Sequence, residues 1–192
     1  TLAYNPESIL VPIARVEGLG WTLLSAGTKA GGSFLGGQGG AIRFDGSLDA
    51  IGPRALFLTL GGEGAALSGS SRAAQWMLLD QLIDESRGQI PQDSRFALLT
   101  PAGRRAMAHY FGGGGRVMVR VQRAADIQRL LRWAKTRKVN IALVGASEGW
   151  KVASAIAAAG VPVFVDALAD LPADFVSLGA TLENAARLHA AG

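Results

Sequence analysis

Short apolar runs alternate with helical patterns through the second half of the chain. Strands are predicted where the runs are rich in valine, at residues 116–121, 139–144 and 161–165. Helices are predicted where apolar residues recur at helical spacing, at 124–135, 147–159 and 174–191. Because a helix-length crossover returns the chain in the same direction, these strands are predicted to be parallel.

Two of these helices carry more specific predictions. Ser147 is placed to cap the first turn of the helix at 147–159. Gly192 is expected at the C′ position of the last helix. The residues of that helix expected to face the core are Phe175, Leu178, Leu182 and Ala185.

The first half of the chain is less regular. Strands are predicted at 21–25, 41–44 and 55–60, and helices from Asn5 to Val16, at 71–86 and at 96–111, with a possible break near Pro101. The glycine-rich section at 31–40 is expected to be two short strands joined by a glycine turn. Taken together, the pattern predicts an α/β fold in one domain that spans residues 1–192.

The composition excludes several classes of protein. The chain has 192 residues, of which 49% are hydrophobic, a mean hydropathy of +0.25 and a net charge of +4, which is typical of a globular domain with a sizeable core. A basic stretch at 116–138 has only Trp133 for base stacking, so a solvated helix face is favoured over nucleic-acid binding. No apolar run is long enough to span a membrane. The absence of cysteine excludes disulfides and leaves the compartment, cytoplasmic or periplasmic, open.

Polar residues follow the predicted strands of the second half. Since parallel strands end at one edge of a sheet, these side chains are expected to share one rim. One interpretation is that they are helix caps and loop residues; the other is a polar pocket for a small ligand, in which an arginine suits an anionic group. The predicted ligand-binding residues are Arg120, Gln122, Glu148 and Asp166.

Metal and cofactor sites are not indicated by the residues. The chain has two histidines, His109 and His189, and neither follows a predicted strand, so a site of three or more ligands cannot be built from histidine. The glycine-rich section lacks the lysine and hydroxyl residue of a P-loop. We therefore expect no cofactor and no metal ligand within this segment.

Several segments together resemble one family. They are Val117–Ile127, 144–153, 159–166 and 178–188, and upstream the glycine-glutamine-glycine segment at 35–42. In this order they resemble imidazolonepropionase-like members of the amidohydrolase superfamily. The resemblance implies a (β/α)₈ barrel in which a water bound to zinc or another divalent metal attacks the C–N bond of an amide or cyclic amide.

The resemblance covers the middle of such a barrel. The chain begins at Thr1 and ends on a predicted helix where the next strand is expected, which predicts an internal fragment forming a partial TIM-like barrel. The family's first-strand His-x-His and last-strand Asp are expected to lie outside it. Where catalytic relatives have metal-binding histidines, this chain has Arg120, Gln122 and Gly145.

Three functions are compatible with these residues. The first is an amidohydrolase-like protein, by resemblance a C–N hydrolase, with the metal-ligand histidines replaced. The second is a non-catalytic module that binds a small ligand or a partner on the same scaffold. The third is an enzyme that combines the remaining carboxylates with flanking regions. Because an open half-barrel exposes two strand edges, we also expect homo-oligomerisation or association with the flanking regions.

Overall fold

The computed structural model describes residues 4–25, 27–28, 32–166, 171–172 and 174–192. Within these residues one curled sheet has the strand order β1-β2-β3-β4-β5-β6. The strands are β1 (Trp21–Leu24), β2 (Leu35–Arg43), β3 (Ala50–Thr59), β4 (Arg116–Val121), β5 (Ile141–Gly145) and β6 (Val163–Phe164). The helices are α1 (Leu10–Val16), α2 (Gly62–Ala65), α3 (Arg72–Ser86), α4 (Pro101–Phe111), α5 (Ala124–Arg137), α6 (Ala153–Ala158) and α7 (Asn184–Ala190), with a 3₁₀ helix at Gly149–Val152.

The sheet joins an antiparallel part to a parallel part. Strands β1, β2 and β3 pair antiparallel, whereas β3, β4, β5 and β6 pair parallel. Helices connect the parallel strands, as crossovers of this length require. The predicted fold class, an α/β partial TIM-like barrel with a less regular first half, is confirmed.

The two faces of the sheet are covered differently. The face that carries Leu56, Val119 and Leu143 packs on the helices and forms the main core, where all three side chains are almost completely buried. The opposite face holds only a small apolar cluster around Phe57 and Met118. The helices therefore stabilise one face, and the polar groups of the other face lie at the strand ends.

Helix α3 shows why the sequence pattern was informative. The Ser71 hydroxyl accepts a hydrogen bond from the Ala74 N–H at 3.1 Å, which caps the first turn. Leu79 and Ile83 occur four residues apart on the buried face and are fully inaccessible to solvent. The predicted helix at 71–86 is confirmed.

Helix α4 begins later than predicted. Thr100 caps it by accepting the Gly103 N–H at 3.1 Å, and Pro101 occupies the first helical position. The proline therefore starts this helix, and Phe96, at the start of the predicted helix at 96–111, lies outside it.

A buried ion pair joins α3 to α4. The Glu85 carboxylate accepts the N–H groups of Leu98 and Leu99 at 2.8 and 2.9 Å and lies 3.4 Å from an Arg104 nitrogen. Burial raises the pKa of Glu85, but the bonds from Leu98, Gln81 and Leu99 and the charge of Arg104 together bring it below its ordinary value of 4.5. This carboxylate therefore holds the segment before α4 in place.

The glycine-rich section is not two strands joined by a turn. Residues 35–43 form one strand, β2, with irregular pairing near Gly37 and near Gly39; residue 31 lies outside the described residues. A side chain at Gly39 would overlap the Leu24 carbonyl oxygen and lie 2.6 Å from the Phe57 ring. Glycine is required there because a neighbouring strand and an aromatic ring pack directly on the backbone.

The predicted cap at Ser147 is wrong. The helical segment begins with the 3₁₀ helix at Gly149–Val152, and the buried Ser147 hydroxyl has no hydrogen-bond partner within the described residues. Asn184 stabilises this turn instead, because its side chain accepts the Trp150 N–H and donates to the Ala146 carbonyl, both at 3.0 Å.

The last predicted helix is much shorter than expected. The Asp174 carboxylate accepts the N–H groups of Val176 at 3.0 Å and Ser177 at 2.8 Å, which fixes a local turn in competition with a helix. Only α7 is helical there. The residues expected to face the core are exposed, namely Phe175, Leu178, Leu182 and Ala185.

The prediction that Gly192 is the C′ residue of the last helix is confirmed. Gly192 follows the C-cap residue of α7 and has a φ of 104°.

Two element boundaries near the ends also differ from prediction. Helix α1 begins at Leu10, since the Asn5 side chain accepts the Glu7 N–H at 3.0 Å and fixes a turn before it. Strand β6 is limited to two residues. Among the described residues, no helix has the length and apolarity needed to cross a bilayer.

Replacing Glu85 with glutamine is expected to destabilise the fold by about 3 kcal/mol, because it leaves the Arg104 guanidinium buried without its counter-charge. The pKa of Glu85 is lowered in the folded protein, so its contribution is present above pH 4.5 and is lost as the pH falls through the folded pKa. Urea unfolding of E85Q should therefore show less loss of stability on acidification than wild type.

The matched control is Glu183→Gln, which removes a half-exposed i,i+4 pair with Arg187 and should cost less than about 0.5 kcal/mol. Equal effects of the two substitutions would contradict the role assigned to Glu85.

Candidate functional site

One row of side chains crosses the parallel strands near their carboxyl ends. Thr59 pairs with Arg120, Arg120 with Val144, and Val144 with Phe164. Residues paired in register point to the same face of a sheet, and this row lies on the face that the helices do not cover. The strand register therefore places Arg120 in this row, between Thr59 and Val144.

A cavity of about 450 Å³ opens beside Thr59 and Arg120. It lies at the carboxyl end of β3 and β4, which is where barrel folds bind their ligands. The described residues that line it are Ser25, Gly27, Thr28, Phe57, Leu58, Thr59, Glu63, Ala66, Leu67, Arg120 and Val144.

Arg120 is the basic residue of this cavity lining. It is exposed, and the described part of the chain offers its guanidinium no hydrogen bond or ion pair. Its neighbour Thr59 lies 3.4 Å from the Thr28 hydroxyl, measured between the two oxygens. The cavity therefore combines an uncommitted cation with nearby hydroxyl groups, which suits a carboxylate or similar anion.

Glu63 was not predicted as a site residue. It lies in the short helix α2 after β3, where the preceding Gly61 has a φ of 83° and a side chain at Gly64 would overlap the Thr59 carbonyl oxygen. The predicted strand at 55–60 carried the necessary signal, since residues after a strand end reach the rim.

Gln75 holds the backbone of Gly61, the residue before α2, in place. Its side chain is almost completely buried, accepts the Gly61 N–H at 2.9 Å and donates to the Gly61 carbonyl at 2.8 Å. Both the N–H and the carbonyl of Gly61 thereby have a hydrogen-bond partner within the core. The buried amide therefore orients the start of α2, which carries Glu63.

Gln122 links the turn after β4 to that after β5. Its side-chain oxygen accepts the Ser147 N–H at 3.2 Å, and its backbone carbonyl accepts the Glu148 N–H at 3.0 Å. Its side-chain nitrogen lies 3.4 Å from a Glu63 oxygen, which is a long contact. The predicted residue is thus at the rim, and its side chain holds the neighbouring loop.

The Glu148 carboxylate is occupied by bonds within the protein. It accepts the Ala124 N–H at 3.0 Å and lies 2.9 Å from the Lys151 nitrogen. Burial raises the pKa of Glu148, but bonds from Lys151, Ala124 and Gly179 outweigh this effect and lower it. These contacts join the start of α5 to the segment after β5. They agree with the interpretation that Glu148 is a helix cap and loop residue.

Asp166 lies beyond β6 and is exposed. It is not among the described residues that line the cavity with Arg120. Of the four predicted ligand-binding residues, Arg120 lines the cavity. Gln122 lies next to the cavity, because its side chain contacts the lining residue Glu63. A ligand role for each of the four stays a prediction.

The described residues do not bring a set of metal ligands together. No group of three or more His, Cys, Asp or Glu side chains within the described residues lies close enough to hold a cation. His109 lies in the last turn of α4 and packs edge-on against Tyr110, while His189 lies in the last turn of α7. The position between Thr59 and Val144 in the row is held by Arg120, whose guanidinium has no lone pair to donate.

A larger cavity, of about 810 Å³, lies between α5 and α6 and reaches Asn140 and Ile141 at the amino-terminal end of β5. Mostly apolar and alkyl groups of the two helices line it, and none of the four predicted residues does. The amino-terminal face of a barrel generally serves stability. The smaller cavity at the opposite end is therefore the candidate functional site.

No protein-family model matches the sequence, and no curated protein sequence matches it. Among solved structures, an amidohydrolase from Thermotoga maritima superimposes with a TM-score of 0.83 at 18% identity. The chain has an amidohydrolase-like fold. The superposition covers 98% of this chain and 53% of that structure, so this chain spans about half the length of its structural neighbour.

Replacing Gln75 with leucine should destabilise the protein by about 2 kcal/mol, because it leaves the buried Gly61 N–H without a partner and removes one of the two hydrogen bonds to the Gly61 carbonyl, which also accepts the Ala65 N–H. Hydrogen exchange of the Gly61 amide should accelerate by more than the global loss of stability explains. Gln128→Leu, at an exposed position of α5, is the control and should change stability by less than about 0.5 kcal/mol. Unchanged exchange at Gly61 would contradict the role assigned to Gln75.

Proposed function

We propose that this chain is the ligand-binding part of an amidohydrolase-like protein, and that Arg120 binds an anionic group of a small ligand at the carboxyl ends of the strands. The observation that carries the proposal is the uncommitted guanidinium in a cavity of about 450 Å³. An arginine left without an internal partner in a cavity is available for a bidentate bond to a carboxylate or phosphate.

The surrounding contacts support binding at this position. Thr59 and Val144 flank Arg120 on the neighbouring strands, so the guanidinium extends from a rigid sheet rather than from a loop. Gln122 and Glu148 hold the adjacent turns. Asp166, which lies beyond β6 on the far side of β5, remains a proposed contact for a larger ligand.

Hydrolysis of a C–N bond is the second candidate. It is favoured by the resemblance of five segments to imidazolonepropionase-like amidohydrolases and by the amidohydrolase-like fold. Because the described residues do not fit a metal, this activity would need ligands from a longer protein. Hydrolysis of an amide or cyclic amide that depends on added zinc, and that survives R120Q, would favour this candidate over ligand binding alone.

The binding proposal predicts that Arg120→Gln weakens binding of 4-methylpentanoate, a carboxylate with an apolar tail, by about ten-fold or more, as expected for loss of a charge-assisted bond. Isothermal titration calorimetry measures the change. Arg116→Gln is the matched control, because Arg116 lies on the same strand about 13 Å away at its other end. Equal affinities of the two variants would contradict the proposal.

We further propose that the chain associates through its open strand edges, with a second copy or with flanking regions of a longer chain. Exposed apolar side chains lie on both edge strands: Trp21 in β1 is 59% exposed, and Phe164 in β6 is 44% exposed.

Sedimentation velocity tests this association. The isolated chain is expected to sediment as a dimer or larger species, because pairing would cover the strand edges and the apolar groups near them. A strictly monomeric species that also unfolds cooperatively would contradict the expectation. Addition of charges at Trp21 and Phe164 should shift the distribution toward monomer.

A further inference from the structure

The cavity at the strand ends holds a second charge besides Arg120. Glu63 lines the same cavity, and the two side chains do not form an ion pair within 4.0 Å. Opposite charges that line one cavity without neutralising each other leave space between them. A ligand that carries both an anionic and a cationic group can contact both residues at once.

Glu63 retains most of its capacity to accept hydrogen bonds. Within the described residues its side chain accepts one hydrogen bond, a long one from the Gln122 nitrogen at 3.4 Å. An ionised carboxylate can accept about four hydrogen bonds, so an ammonium group can bind without displacing Gln122. The two hydrogen bonds between Gln75 and Gly61 fix the start of α2, which carries Glu63, and so limit the conformational entropy lost on binding.

The wall of the cavity near these charges is apolar. Phe57, Leu67 and Val144 line it together with Arg120 and Glu63. A volume of about 450 Å³ lies toward the small end of the range for ligand sites, about 300–1,000 Å³. The arrangement suits a small molecule that has two charged groups and an aliphatic side chain.

We infer that the ligand is a small zwitterion, a free α-amino acid with an aliphatic side chain, whose carboxylate binds Arg120 and whose ammonium binds Glu63. The inference rests on the proposed function, since it takes the Arg120 contact from there. It adds the second contact and so specifies the chemical class of the ligand. Thr59, next to Arg120 in register, places a hydroxyl beside the carboxylate.

Three probes separate the two contacts in calorimetric titrations of the protein. L-leucine carries both charges, 4-methylpentanoate lacks the ammonium group, and 3-methylbutylamine lacks the carboxylate. Leucine is expected to bind at least about ten-fold more tightly than either analogue, as one charge-assisted hydrogen bond contributes.

The outcomes distinguish the inference from the proposed function. Equal affinities for leucine and 4-methylpentanoate would overturn the zwitterion and leave the Arg120 site standing. Tightest binding of 3-methylbutylamine would overturn both, because Arg120 would then contribute nothing. Absence of binding by all three probes would also overturn both.

Substitution of Glu63 provides an independent test. Glu63→Gln keeps the shape of the side chain and should lower leucine affinity to that of 4-methylpentanoate, while the affinity for 4-methylpentanoate stays within about two-fold. Glu17→Gln, an exposed charge change beside α1, should leave both affinities unchanged. If E63Q and E17Q bind leucine equally well, and both show the wild-type thermal midpoint, the ammonium contact is excluded.

Discussion

The parallel register of β3 to β6 is the constraint on which the rest of the structure depends. It fixes Thr59, Arg120, Val144 and Phe164 in one row, on the face that the helices leave uncovered. A shift of one residue in β4 would turn Arg120 into the apolar core and bring Val119 or Val121 to the cavity. The strand pairing that forms the core therefore also positions the Arg120 guanidinium at the candidate site.

The loops at the strand ends are held by polar side chains with buried or half-buried bonds. Gln75 satisfies Gly61, Glu148 caps the start of α5, and Asn184 joins α7 to the turn after β5. Each of these groups is committed to the backbone, since buried polar atoms need partners. Arg120 differs from them because the described part of the chain gives its guanidinium no partner, and this contrast distinguishes a candidate binding group from the structural ones.

Sequence periodicity predicted the elements that a large core stabilises. Helix α3 and strand β4 matched closely, because Leu79, Ile83, Val117 and Val119 are all buried on the faces that their spacing indicates. The predicted helix at 174–191 failed over its first part, where apolar residues at helical spacing meet an Asp174 side chain that bonds its own backbone. Local hydrogen bonding of this kind competes with a helix when no core covers the apolar face.

The site was partly predictable for the same reason. Arg120, Gln122 and Glu148 could be assigned to one rim because strand ends converge there, but which side chain holds a loop depends on bonds that no sequence pattern reports. The sequence pattern did not indicate Glu63, because α2 lies in the irregular first half of the chain. The residues after β3 nevertheless reach the cavity as well. The purpose of Gly39, which lies under the Phe57 ring, also needed the three-dimensional contacts.

The central claim is that the carboxyl end of this sheet presents a cation for a small ligand in place of a metal. Elemental analysis by mass spectrometry, on protein purified without chelators and incubated with zinc, manganese and iron before desalting, tests it most directly. We expect no stoichiometric metal on this chain, because Arg120 lies between Thr59 and Val144 in the row and the described residues form no ligand cluster. One equivalent of bound metal that is lost when Glu63 is substituted would contradict it.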